Sequence, residues 1–235
     1  MIVLGLDTAT AETAVGLLGP GSDARERSDG PDERGRPRHT TRLLALAQQL
    51  LVEAELDWTD LERIAVGLGP GTFTGLRIGV ATARGLAQAT GASLVGLSTL
   101  RVLAAAAATP QTPAVLSVVD ARRGEAYAAT HIDGQLLEGP LALTPEGLLG
   151  LARTPPPGGQ ARWVAVGDGA LRFREHLRTA ELIIPPEDSS LHRVSARVLC
   201  ELAAGERGQE PEDLVPNYVR RPDAELTESP RSPTS

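Results

Sequence analysis

The run Gly67-Leu68-Gly69-Pro70-Gly71-Thr72-Phe73-Thr74-Gly75-Leu76-Arg77-Ile78-Gly79 constrains this chain more than any other stretch. The apolar residues 64–68 lead into it and read as a buried strand. Glycines and Pro70 then stop the strand. Thr72 or Thr74 can cap a helix over about 75–89. Strand, glycine loop and helix in that order form the layout of a phosphate site. Two nucleotide fingerprints fail on inspection, however. A P-loop needs Gly-Lys-Ser/Thr, and the chain contains no lysine. The dinucleotide fingerprint needs Gly-x-Gly-x-x-Gly and an acid at the end of the next strand. Counted from Gly67 or Gly69, the sixth residue is Thr72 or Thr74, and the next apolar run, 93–97, ends in Ser98.

The helix after the loop has a second property. Gly75, Gly79, Ala83 and Ala87 recur every four residues and share one face. Glycine inside a helix costs about 1 kcal/mol against alanine. A face of small residues lets a neighbour come close. That neighbour is either another part of the same subunit or a helix of a second chain.

The totals set bounds. The 235 residues suffice for one large domain or two small ones. Hydrophobic residues make up 41% and aromatics 3%, so the core must be aliphatic. The net charge of −7 argues against broad nucleic-acid binding by this chain alone. All 23 basic residues are arginine, a bias that genome composition explains more cheaply than function. Cys200 stands alone, which excludes an internal disulfide and a cysteine-based metal cluster. No apolar run reaches the ~18 residues of a membrane helix. Met1-Ile2-Val3-Leu4-Gly5 carries no basic leader region, and the expectation is a soluble cytoplasmic protein.

Along the chain, residues 2–6 predict a strand ending in Asp7-Thr8-Ala9-Thr10, and 12–18 predict its hairpin return. An acid at the end of a first strand, followed by small hydroxyl residues, is similar to the actin-like ATPases, where such an acid sits near metal and phosphates. Asp and Thr are equally ordinary turn residues. Residues 19–38 predict a loop or a poorly formed third strand near 24–28. The spacing of Leu43, Leu44, Ala47, Leu50, Leu51 and Ala54 predicts an amphipathic helix over 39–55. His39 is read as a helix-start residue, since no second His or Cys stands at metal spacing. A second half follows with strands at 115–119 and 125–131, an Asp133-Gly134 hairpin signal, and a helix from Thr144-Pro145-Glu146. A strand at 163–166 leads through Gly167-Asp168-Gly169 into another helix. A short strand at 182–184 stops at Pro185-Pro186, and Ser189 or Ser190 is expected to cap a helix to 204. The polar, Pro/Ser-rich end, 223–235, is expected to be disordered. Alternating strands and helices in two similar halves predict an α/β protein with a duplicated plan.

Five stretches together carry a family resemblance. They are Gly5-Leu6-Asp7-Thr8, His39-Thr40-Thr41-Arg42-Leu43-Leu44, the run Gly67 to Gly79, Asp120-Ala121-Arg122-Arg123-Gly124-Glu125-Ala126-Tyr127, and Pro216-Asn217-Tyr218-Val219-Arg220-Arg221. On these the chain resembles the TsaB (YeaZ) family, partners of the tRNA threonylcarbamoyladenosine synthase TsaD. The resemblance implies an actin-like (ASKHA) α/β fold of two related subdomains with mixed sheets flanked by helices. It divides the chain at 1–108 and 109–189, with the helix 190–205 completing the first part. It also implies a cytoplasmic subunit that binds and activates TsaD, with TsaE as a further component. The free chain would pair with itself, and tRNA would be reached only through the complex.

TsaD-like chains carry a His-x-x-x-His pair on the helix after the strand matching 93–97. Two His at i and i+4 can share a metal. Here those positions are Thr99 and Leu103. The resemblance therefore implies no catalytic, cofactor or metal residues and a pseudo-enzyme role. His131, His176 and His192 are scattered in sequence and read as solvated or core residues. The interface expected for the partner consists of Leu43, Leu50, Gly75, Gly79, Ala83 and Ala87. Two other readings compete. An actin-like ATPase or kinase would use Asp7, Thr8 and the loop 69–71. A peptidase would need His-Glu-x-x-His or Gly-x-Ser-x-Gly, and neither is present.

Overall fold

The computed structural model describes residues 1–157 and 162–219. The expected tail 223–235 and Arg220-Arg221 lie outside the described residues. Within them, nine strands form two sheets. The first contains β1 (Val3–Asp7), β2 (Thr13–Leu18), β3 (Ala24–Asp29), β4 (Arg63–Gly67) and β5 (Ser93–Leu97), in the order β3-β2-β1-β4-β5. The first three strands form an antiparallel meander, and β4 and β5 run parallel to β1. The second sheet repeats this plan with β6 (Ala114–Arg122), β7 (Glu125–Ile132), β8 (Gln135–Leu143) and β9 (Val164–Val166), in the order β8-β7-β6-β9. Ile183 pairs in parallel with Val164 as a one-residue remnant of a fifth strand. The fold is the actin-like one.

Three helical layers enclose the sheets. Helices α1 (His39–Glu53) and α2 (Phe73–Thr90) cover the outer face of the first sheet. Leu43, Leu46, Leu50 and Val80 meet Leu4, Leu6, Val15, Ile64 and Val66 there in one aliphatic cluster. Helices α3 (Thr99–Ala107) and α7 (Ala196–Ala204) lie between the sheets, α7 packing on the first, α3 on the second, and each on the other. Val3, Ala65 and Val95 meet this middle layer from one side, and Val115, Tyr127 and Val164 from the other. Helices α4 (Pro145–Arg153), α5 (Asp168–Arg172) and α6 (Arg174–Leu177) close the far face, where Leu148, Ala170, Phe173 and Leu177 cover Leu116 and Val118.

Local chemistry accounts for most boundaries. Thr72 is the N-cap of α2, its hydroxyl accepting from the Gly75 amide, and Gly91 ends the helix in the left-handed region. Two expectations are corrected. The poorly formed third strand is a regular six-residue edge strand, paired throughout with β2. Its Arg-Glu-Arg-Ser composition is that of a sheet edge, where charge opposes unwanted pairing. The helix expected from Ser189 or Ser190 is split. Ser189 caps a single 3₁₀ turn at Ser190–His192, the chain then extends, and Ser195 caps α7. Each serine satisfies its own set of free amides, so two caps make two helices.

Candidate functional site

The carboxyl ends of β1 and β4 bring together the sequence features singled out as chemical. Asp7 ends β1 and is fully buried. Its Oδ1 accepts from the Ala9 amide at 2.8 Å, and its Oδ2 accepts from the Thr99 hydroxyl at 2.8 Å. Burial pushes the Asp7 carboxyl up to about 6, against the pull of these two donors. Gly67, the last residue of β4, faces the same carboxylate so closely that any side chain there would overlap it.

The glycine loop folds onto the turn after Asp7 and closes it. The Thr72 amide donates to Ala9 O and the Thr99 amide to Gly69 O, both at 2.8 Å. The Thr8 hydroxyl donates to Gly75 O at 2.7 Å. Cβ atoms at Gly75 and Gly79 would collide with Thr8, at its carbonyl and its hydroxyl respectively. The small residues of α2 thus form a socket for the Asp7–Ala9 turn. What faces the loop is carbonyl oxygen and hydroxyl, a poor setting for a phosphate anion, which needs N–H donors.

The residues expected for the partner interface lie as follows within this chain. Leu43 and Leu50 lie in the cluster under α1. Gly75, Gly79 and Ala83 are buried against β1 and β4, and Ala87 is partly buried beside the same cluster. The spacing identified one face of α2 correctly but not what it meets. Gly75 and Leu76 are both buried, Gly75 against Thr8 and Leu76 against Gly69 of the loop, so α2 has one broad buried side. The outer side of the α1–α2 layer exposes Leu44 (49%) and Val52 (64%), together with Ala81 and Gly85. A Cβ at Gly85 would meet open space, so nothing within the chain requires glycine there.

Asp120 lies two residues before the end of β6, the strand that stands in the second sheet where β1 stands in the first. Its Oδ1 accepts from the Arg122 amide at 2.9 Å. The guanidinium groups of Arg122 and Arg172 stand 3.5 and 3.4 Å from its carboxylate. Its own amide donates to Asp168 Oδ1 at 3.0 Å, and burial raises the Asp168 carboxyl. Asp168 and Arg172 were not singled out in the sequence. Only Gly167-Asp168-Gly169, placed before a helix, signalled them.

The histidines stay apart. His39 opens α1 with Nδ1 2.8 Å from the Thr13 hydroxyl, and His192 lies between Gly167 O and Pro185 O. His131 is buried in β7, and burial with the nearby Arg101 charge lowers it to about 4. Among the described residues no three His, Cys, Asp or Glu side chains gather at metal-binding range. The motif Pro216-Asn217-Tyr218-Val219 returns to the glycine loop. The Asn217 amide donates to Leu68 O at 2.7 Å, the Tyr218 ring lies 5.3 Å from Phe73, and the Arg77 guanidinium sits 3.7 Å above that ring. About 140 residues separate these partners, and no local pattern announces the contact.

The family model for TsaD, tRNA N6-adenosine threonylcarbamoyltransferase, matches residues 33–214. The tRNA threonylcarbamoyladenosine biosynthesis protein TsaB of Escherichia coli is 37% identical over 132 residues, covering 56% of this chain and 55% of that protein. The chain thus spans about half the length of that curated relative. A Pseudomonas aeruginosa protein described as uncharacterised, with similarity to the peptidase YeaZ, superimposes with a TM-score of 0.76 at 30% identity, over 93% of this chain and 99% of that one. The YeaZ structure from the same organism gives 0.73 at 28% identity, over 92% and 100%. The chain belongs to the TsaB (YeaZ) family, within the wider fold family that the TsaD model describes.

Proposed function

We propose that this protein is a non-catalytic subunit of the machinery that makes N6-threonylcarbamoyladenosine in tRNA, and that it binds and activates TsaD. The closed Asp7 site carries the reading. Where the resemblance implies paired histidines on a catalyst, the Thr99 hydroxyl is spent on Asp7 and Leu103 is buried in the apolar middle layer. Neither side chain can replace imidazole on a metal. An actin-like ATPase or kinase would need the acid at the end of β1 open to a metal and phosphates. Here Gly67, Thr99 and the Ala9 amide enclose it.

The partner docks on the outer side of the α1–α2 layer in this reading, over Leu44, Val52, Ala81 and Gly85. An exposed mid-helix glycine with no internal contact costs stability and suits the close approach of a second helix. The same surface pairs two copies of the free chain, TsaE joins as a further component, and tRNA is reached through the complex. The test is capture of the cognate TsaD on immobilised protein. The wild type should retain it. Gly85→Leu should lose it while keeping its circular dichroism and a melting temperature no lower than the wild type's, because the added side chain points into open space and leucine favours the helix over glycine. A folded Gly85→Leu that captures TsaD normally would overturn the docking face. A wild type that captures no TsaD would overturn the function.

A further inference from the structure

A cavity of about 320 Å³ opens between the β2–β3 edge of the first sheet and the start of α7. Asp7, Ala14 and Ser28 form one row across β1, β2 and β3, so the lining reaches Ala14 on the strand beside the closed acid, while Glu26 and Ser28 line it from the β3 edge. Its polar lining includes Glu26, Ser28, Ser190, Ser195, Arg193 and Arg197, two guanidinium groups against one carboxylate, in a chain of net charge −7; the adjoining Arg27 turns its side chain to the other face of β3, where it pairs with Glu53 of α1.

These groups are not equivalent. Arg197 is paired with Glu201 at 2.6 Å, with both side chains near half exposure. Such pairs contribute little and exchange readily with a better anion. Arg193 forms no ion pair among the described residues. Glu26 is committed, its Oε2 accepting from the Ser195 hydroxyl at 2.7 Å and from the Arg197 amide at 3.0 Å. Its charge is thereby spent on the start of α7, while its other oxygen keeps acceptor capacity. The hydroxyls of Ser28 and Ser190 make no hydrogen bond among the described residues. The cavity therefore offers a cation and hydroxyl donors for an anionic group, and a carboxylate oxygen for a ligand hydroxyl. Its volume lies in the range of small-molecule sites.

We propose that this cavity binds a phosphate monoester carried on a small polyhydroxylated body, with Arg193 gripping the phosphate and Glu26 accepting from a hydroxyl. A guanidinium fork matches phosphate geometry. A free sugar phosphate and a mononucleotide share this chemistry. The site is independent of the α1–α2 docking face.

Calorimetric titration of the full chain with ribose 5-phosphate, ribose and AMP tests it. Ribose 5-phosphate should bind at least tenfold more tightly than ribose. Arg193→Gln should weaken that binding at least tenfold with an unchanged melting temperature, since Arg193 is exposed and unpaired. Ser190→Ala should weaken it severalfold. AMP tighter than ribose 5-phosphate by tenfold assigns the site to a mononucleotide, and equal or weaker AMP assigns it to a sugar phosphate. The proposal is overturned if neither phosphate ester binds, if ribose binds as well as its phosphate, or if Arg193→Gln binds normally.

Discussion

Two buried ionisable side chains titrate in opposite senses. Asp7 is raised to about 6 in the fold, so between about pH 4 and 6 the native state holds a proton that the unfolded chain releases. Its contribution to stability is full below pH 4 and falls by about 3 kcal/mol as the pH rises to 6. His131 is lowered to about 4, so its neutral form is the one that folds. Its contribution is full above pH 6.5 and falls by about 3 kcal/mol as the pH drops to 4. The two slopes offset one another in the same window. Urea unfolding at pH 4, 5 and 6.5 should separate them. Asp7→Asn, which keeps an acceptor for the Ala9 amide, should gain stability over wild type as the pH rises. His131→Leu should gain over wild type as the pH falls. Parallel curves for wild type and either variant would contradict the assignment. Neither shift was legible locally. The sequence marks Asp7 as a strand-end acid, but its burial depends on Gly67 and Thr99, which lie far along the chain.

At the scale of the element, α2 holds glycines with opposite roles. A Cβ at Gly79 would stand 2.5 Å from the Thr8 hydroxyl, and one at Gly85 meets nothing within 4 Å. Gly79→Ala should therefore destabilise by about 1–3 kcal/mol through overpacking. Gly85→Ala should stabilise by about 1 kcal/mol through helix propensity. Chemical denaturation reads both, and the same sign for the two would refute this division of the helix. The period of four was plain in the sequence, and Thr72 was one of two candidate caps, with Thr74. The direction in which the small face points was not, because spacing defines a face only relative to the helix axis. The edge strand β3 was legible only as an alternative to a loop, for a related reason. Its solvated residues carry no hydrophobic alternation, and its pairing with β2 is what makes it a strand.

Across the whole molecule, one docking layer serves two pairings in the proposed function, so self-association and TsaD binding exclude each other. Sedimentation velocity should show the dimer of the free chain converting to a heterodimer as TsaD is added, with Gly85→Leu monomeric throughout. A stable species holding two copies of this chain joined through α1–α2 together with TsaD on the same face would refute it. The architecture itself was largely readable. Apolar runs, hairpin signals and caps are local consequences of side-chain chemistry, and they determined the strands, most helices and the duplicated plan. The motifs determined the family, because the glycine run and its companions match in residue type and order. Tertiary structure decided what those motifs do here. The glycines around Asp7 receive a backbone turn, the α2 face turns inward, and the Asn217-Tyr218 strap closes over Phe73 and Arg77. Each is a contact between residues far apart in the chain, and its outcome depends on which surfaces compete for the same space when the sheets and helices pack.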